Sequence, residues 1–260
     1  GHASLNRDDM PKIPHQSSAT GMQGIPTTGV AMGVQYRELM DMDADIADKP
    51  VVACCFGDAS ITEGEVAEAF QMAVLKQLPI LYLVEDNEWD ISAHAEEFRA
   101  MNAAEYAEGF KGMEVFSIDG SDFTASYDTI TKAMKIIRNE RRPVLVHATV
   151  PLLNHHTSGV RMDFYRTEED LAEHSKRDPF PVLHKQCLEA GISEAELLTI
   201  DVETQEYVAS EYEKALGFED PRPEDLYTFD FVPTPITEEK GERSPKGKEP
   251  TVMVDSALFA

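Results

Sequence analysis

Two residues with ligand chemistry, Asp58 and Asn87, each stand just past a short apolar run: Val51–Phe56 closed by Gly57, and Ile80–Val84. A carboxylate and an amide oxygen are hard donors. They suit magnesium, which prefers six oxygens and accepts phosphate oxygens among them. Asp58 also precedes a helical stretch, and a helix amino terminus attracts anions. One magnesium ion held by Asp58, Asn87 and a main-chain carbonyl near Trp89 would therefore bridge to a diphosphate. The same two residues serve equally well as a helix cap and a turn former. A second candidate is NHHTSGVRMDFYR, Asn154 to Arg166, which follows another apolar run. Adjacent histidines chelate one metal poorly, which argues against zinc. His156 is left as a proton donor or as a solvated loop residue.

The elements around Asp58 and Asn87 must bring the two together. Val51–Phe56 reads as a buried strand. Glu63 to Gln77 has helical spacing at Val66, Phe70, Ala73 and Val74, with Ser60 and Glu63 set as a capping box. Pro79 ends that helix, and Ile80–Val84 is a second strand. Strand, helix and strand with short connections make a parallel unit, which places Asp58 and Asn87 at neighbouring carboxyl ends.

Upstream, Ser17 to Leu39 passes from a Ser/Thr/Gly turn into a helix rich in small residues. Downstream, His94 to Phe110 reads as an exposed helix and Met113–Ile118 as a strand. Phe123, Tyr127, Ile130, Met134 and Ile137 form a helical stripe, and Pro143–Val150 is a fully apolar strand. The alternation predicts an α/β protein, a mostly parallel sheet covered by helices on both faces, with a helical C-terminal extension. Residues 1–166 form the α/β domain and 167–216 the extension. Within the extension, Leu197, Ile200, Thr204, Tyr207 and Val208 make a packing stripe. The proline-rich stretch 217–250 reads as a linker.

The 260 residues are 42% hydrophobic and carry 23 basic against 48 acidic side chains, a formal charge of −25. That balance argues against nucleic acid and anionic membranes as partners. Three cysteines, Cys54 and Cys55 adjacent, make no disulfide framework and point to a reducing compartment. No apolar run has transmembrane length. The chain opens on Gly1-His2 and stops within TVMVDSALFA, so it reads as a piece of a longer polypeptide.

The strings GDASITEGEVAEAF, LPILYLVEDN and WDIS resemble the thiamine diphosphate motif of the 2-oxo acid dehydrogenases. The match is to the alpha-type region of their first, decarboxylating component. The resemblance implies a thiamine diphosphate-binding fold, with magnesium on Asp58, Asn87 and the Trp89 carbonyl. It implies cofactor contacts at Ser18, Thr20, Gly57, Asp58, Ala59, Asn87, Trp89, Ile91 and His156. His156 is further implied to assist acyl transfer to a lipoyl group, with Thr157, Tyr165-Arg166 and Asp178-Pro179 completing that part of the pattern. Departures are Ala59 where glycine is usual, Asp86 where a first asparagine is usual, and Trp89 where tyrosine is common.

The implied activity is oxidative decarboxylation of a 2-oxo acid, pyruvate or a branched-chain acid, with the acyl group passed to a lipoyl-bearing acyltransferase. The implied partner is a beta-type region that holds the activating glutamate, in an alpha2beta2-like or fused homodimeric assembly. TVMVDSALFA, residues 251–260, resembles the start of such a beta-type region. The location expected is cytoplasmic, or the mitochondrial matrix in a eukaryote. A transketolase-like enzyme and a non-catalytic assembly subunit of the same family are the alternatives. A magnesium-dependent nucleotide-binding domain is disfavoured by the lack of a GxxxxGK[ST] loop.

Overall fold

A computed structural model describes residues 10–15, 18–42, 48–157 and 161–227. Four strands make one all-parallel sheet: β1 (Val52–Gly57), β2 (Ile80–Asp86), β3 (Glu114–Asp119) and β4 (Val144–Thr149), in the order β1-β2-β4-β3. β2 and β4 are central and nearly continuously apolar, as strands buried on both faces must be. β1 lies at the edge and alternates, with Cys54 and Phe56 buried but Ala53 and Cys55 exposed. It is therefore half-buried, where the apolar run predicted a fully buried strand.

Helices cover both faces. On one face α1 (Gly24–Leu39), α2 (Gly64–Lys76) and α4 (Ala103–Glu108) close over Phe56, Ile80, Tyr82, Val84 and Leu145. On the other face, α5 (Phe123–Glu140) lays Ala133 and Ile137 over Leu81, Val144 and Val146. Phe70 of α2 sits at the centre of an aromatic cluster, 4.6 Å from Tyr82 and 5.3 Å from Phe110 between ring centroids. α1 approaches closely because of a glycine. A Cβ on Gly24 would come within 3.3 Å of the Phe56 ring and 3.4 Å of Ala69.

Several boundaries differ from the expected ones for local reasons. Ser60 and Glu63 form no capping box; a 3-10 turn, Ala59–Thr62, intervenes before α2, and Glu63 caps without a side-chain bond. Capping boxes lie elsewhere, at His94/Glu97, Asn102/Glu105 and Ser193/Glu196. The stretch from His94 to Phe110 is two short helices, α3 (Ala95–Phe98) and α4, and Ala103, Ala104 and Ala107 of α4 are buried. Pro143–Val150 is not wholly apolar in effect, since His147 is buried inside β4.

After β4 the chain forms α6 (Glu168–Lys176), α7 (Pro179–Glu189) and α8 (Glu194–Leu216). The chain divides into two compact units, up to Thr199 and from Ile200 onward. The described part of the second unit is the remainder of α8 and a 3-10 turn, Pro223–Tyr227. No residue of α8 is buried, so its expected packing stripe is exposed at Ile200, Tyr207 and Val208. No described helix is long and apolar enough to cross a membrane. The proposed linker from residue 228 and the expected beta-type start at 251–260 lie outside the described residues.

Phe70 and Phe123 both sit in apolar helical patterns, but Phe70 is 0% exposed and Phe123 is 56% exposed. Phe70→Ala should destabilise the protein by about 3–5 kcal/mol, and Phe123→Ala by less than about 0.5 kcal/mol. Chemical denaturation of both variants checks this contrast; equal losses would mean the core is drawn in the wrong place.

Candidate functional site

The carboxyl ends of β1 and β2 are adjacent because Gly57 pairs with Glu85 in register. The next residues, Asp58 and Asp86, are both buried, each 2% exposed. Two ionised carboxylates cannot sit together in a low dielectric without counter-charge. Arg99, in the break between α3 and α4, supplies it. Its Nη1 and Nη2 donate to Asp86 Oδ2 and Oδ1 at 2.7 and 3.0 Å, and Nη1 also lies 3.3 Å from Asp58 Oδ2. His147 Nε2 lies 2.7 Å from Asp86 Oδ2.

The two carboxylates titrate in opposite directions. Burial and the neighbouring Asp86 charge push Asp58 up, against the pull of Arg99. Burial alone would raise Asp86 as well, but its hydrogen bonds from His147 and Arg99 outweigh burial and hold it well below the usual carboxylate range. Asp58 Oδ2 is buried and makes no hydrogen bond. A buried carboxylate oxygen whose close partner is the Arg99 guanidinium at 3.3 Å, with no hydrogen bond made, keeps acceptor capacity for a cation.

Asn87 begins a turn that is tightly tied. Its Oδ1 accepts from Trp89 N at 3.0 Å, Asp86 Oδ1 accepts from Glu88 N at 3.0 Å, and Glu88 takes a left-handed φ of 67°. Ala95 N donates to the Glu88 carbonyl at 2.8 Å, and Asp90 N to the Ala93 carbonyl at 3.0 Å. The Trp89–His94 bridge is enclosed by those two bonds, which leaves the Trp89 carbonyl out of the ladder. Among the described residues no cluster of three or more His, Cys, Asp and Glu side chains is arranged for a metal. The donors that the neighbouring strand ends carry are of another kind: the Asp58 carboxylate on one, and the Asn87 amide and Trp89 carbonyl on the other. That set fits magnesium completed by phosphate oxygens and water.

The upstream segment reaches the same edge. Gln23 Nε2 donates to the Cys55 carbonyl of β1 at 2.9 Å. Gly21, at φ +79°, approaches so closely that a Cβ there would lie 2.8 Å from Glu63 Cβ. Ser18 and Thr20 are exposed in the turn just before it. Ala59 is half-buried in the 3-10 turn after Asp58, and Ile91 is 45% exposed. Asp58, Arg99, Ile61, Phe98 and Tyr106 line a cavity of about 220 Å³. Because the helix after Asp58 is a single 3-10 turn rather than α2 itself, the expected long-helix anion site does not form there.

The second candidate segment meets the first through Trp89. Its ring lies 5.4 Å from that of Tyr165, and the Arg166 guanidinium sits 5.5 Å from the indole centroid. Arg166 is buried, donates to the Leu152 carbonyl at 2.8 Å and pairs with Asp170. His155 Nδ1 accepts from Met162 N at 3.1 Å, which ties the loop to itself. His156 is exposed, and no described residue hydrogen-bonds its ring. Residues 158–160, which include Val160, lie outside the described residues, as does Ser17. Arg99 and His147 were missed from the sequence. Neither belongs to a motif, and each meets Asp86 only through the folded sheet edge.

A family model described as "Dehydrogenase E1 component" matches residues 5–224. The pyruvate dehydrogenase E1 component subunit alpha of Rickettsia bellii is 30% identical over 183 residues, covering 68% of this chain and 56% of that protein. The protein of the same name from Porphyra purpurea is 30% identical over 203 residues, covering 77% of this chain and 58% of that one. The chloroplastic subunit alpha-3 of Arabidopsis thaliana is 31% identical over 206 residues, 78% of this chain and 46% of that one. The chain thus spans about half the length of the curated relatives it matches. A family model matched over most of the sequence agrees with the buried aspartate and tied asparagine turn at neighbouring strand ends, and the chain belongs to the dehydrogenase E1 component family.

Proposed function

We propose that this chain supplies the diphosphate- and magnesium-binding half of a thiamine diphosphate-dependent 2-oxo acid dehydrogenase. The observation that carries the reading is the buried Asp58 with its unbonded Oδ2, beside the turn that presents Asn87 and the Trp89 carbonyl. The three groups would hold magnesium, with Ser18, Thr20, Gly57, Ala59 and Ile91 bordering the cofactor. Thiamine diphosphate, when bound, supplies the electron sink that lets a 2-oxo acid lose carbon dioxide. The protein's own part is to bind, orient and shield. Asp58 and Asn87 fix the diphosphate end through the metal. The Gly21 turn fixes the neighbouring backbone.

The substrate class is a 2-oxo acid; pyruvate is favoured by the relatives' names, and a branched-chain acid by the paired His155-His156. The acyl group would pass to a lipoyl domain. His156 is our candidate for proton transfer there, because it stands exposed on the exit loop of β4. A beta-type region or subunit would complete the site, in an alpha2beta2-like or fused assembly, located in the cytoplasm or the mitochondrial matrix. The transketolase-like alternative is less well supported, since the family match extends through the exit loop and the helices after it.

Asp58→Ala and Asn87→Ala should each lower magnesium-dependent affinity for thiamine diphosphate by at least about 100-fold, beyond the loss typical of outer-shell changes. Calorimetry on the full-length protein measures it, and an unchanged affinity would remove both residues from the metal. His156→Ala should lower acylation of a lipoyl domain by about 10²- to 10⁴-fold while leaving transfer to an artificial acceptor near the parent rate. His155→Ala, which loses only a loop tie, should cost less than about tenfold. Parent-like acylation by the His156 variant would make it an ordinary surface histidine.

A further inference from the structure

Arg99 stands where a guanidinium is least expected, 3.3 Å from the carboxylate oxygen that the metal would need. It is held there. The fork to Asp86, at 2.7 and 3.0 Å, is bidentate, and Asp86 is in turn fixed by His147 at 2.7 Å and by Glu88 N at 3.0 Å. Its side chain is 12% exposed, so water screens the charge little. A guanidinium is a fixed positive charge, with donors and no acceptor.

The charge count at this edge is then short. With both carboxylates ionised, Asp58 and Asp86 contribute two negative charges and Arg99 removes one. A bare divalent cation at Asp58 would meet a single net negative charge and a fixed cation close by. A diphosphate adds the negative charge that the site lacks. We propose that Arg99 is a positioning residue that denies Asp58 to magnesium alone and so makes magnesium and the diphosphate cofactor bind only together. The inference rests on Asp58 being a magnesium ligand, and it concerns the coupling between two ligands rather than the ligand set. By linkage, the factor by which the cofactor strengthens magnesium equals the factor by which magnesium strengthens the cofactor.

The test uses full-length protein, titrated above neutral pH with magnesium by calorimetry and with manganese by electron paramagnetic resonance, each with and without thiamine diphosphate. Arg99→Gln removes the charge while keeping a hydrogen-bonding side chain for Asp86. Its affinity for magnesium alone should rise at least about tenfold, since a unit charge within a few ångströms in a poorly screened site is removed. Affinity in the presence of cofactor should change much less, so the coupling factor falls by about the same tenfold. Arg99→Lys keeps the charge but cannot fork across two carboxylates, and should give a rise of about threefold. It also decides the matter if the Gln variant does not fold, as judged by circular dichroism.

A merely structural role would weaken both magnesium affinities together. Unchanged or weaker binding of magnesium alone in the folded variants would overturn the inference. If Asp58→Ala leaves cofactor-dependent magnesium binding intact, the ligand assignment itself has failed. If that variant loses binding but the Arg99 variants keep the parent coupling, only the present inference has failed.

Discussion

Two carboxylates buried at one edge of a sheet set the terms for the rest of this structure. Removing Asp58 and Asp86 from water costs several kcal/mol per ion unless counter-charges and hydrogen bonds meet them. The fold meets that cost unevenly. Asp86 receives the fork of Arg99, the ring of His147 and the amide of Glu88, whereas Asp58 keeps an oxygen with no hydrogen bond. The asymmetry separates a carboxylate whose oxygens are both hydrogen-bonded from one that keeps a free acceptor. Asp86 organises the turn, and Asp58 is left with bonding capacity toward a cation.

That division depends on topology. β4 lies between β2 and β3, so the ring of His147 stands beside the carboxyl end of β2. Had β3 been the neighbour of β2, Ser117 or Ile118 would occupy the nearby register positions, and neither carries an imidazole. The break between α3 and α4 does the corresponding work for Arg99. A continuous helix from His94 to Phe110 would turn residue 99 with the helix. The Asn102/Glu105 capping box starts a new helix instead, which frees Arg99 to reach back to the sheet edge.

The sequence made the strand–helix–strand unit legible, together with the neighbouring carboxyl ends of β1 and β2, because apolar period and punctuation by Gly57 and Pro79 are local signals. The covered parallel sheet followed from the same alternation. What stayed hidden was set by distant partners. Arg99 and Asp86 are separated by 13 residues, and His147 and Asp86 by 61, with no pattern to link them. Ser60 and Glu63 have the right types for a capping box, yet the tight 3-10 turn after Asp58 takes precedence. Periodicity also overstated α5: its stripe runs through Phe123 and Tyr127, but the sheet covers only the later turns, at Ala133 and Ile137.

The two chemistry-bearing segments are joined by side chains rather than by backbone. The Trp89 indole lies 5.1 Å from the His94 ring, 5.4 Å from Tyr165 and 5.5 Å from the Arg166 guanidinium. The peptide unit that carries the Trp89 carbonyl is held by its own amide, Asp90 N, which donates to the Ala93 carbonyl. Arg166 reaches the other way, to Leu152 on the exit from β4 and to Asp170 on α6. α6 in turn presents His174, whose Nδ1 accepts from Leu152 N at 2.9 Å. Both ends of the exit loop are therefore tied, through Arg166, to the turn that carries Asn87, and His156 between them is exposed. An acid–base group on a loop is useful only if its anchors hold it in register with the reacting centre, and here the anchors and the ligand turn share one aromatic contact.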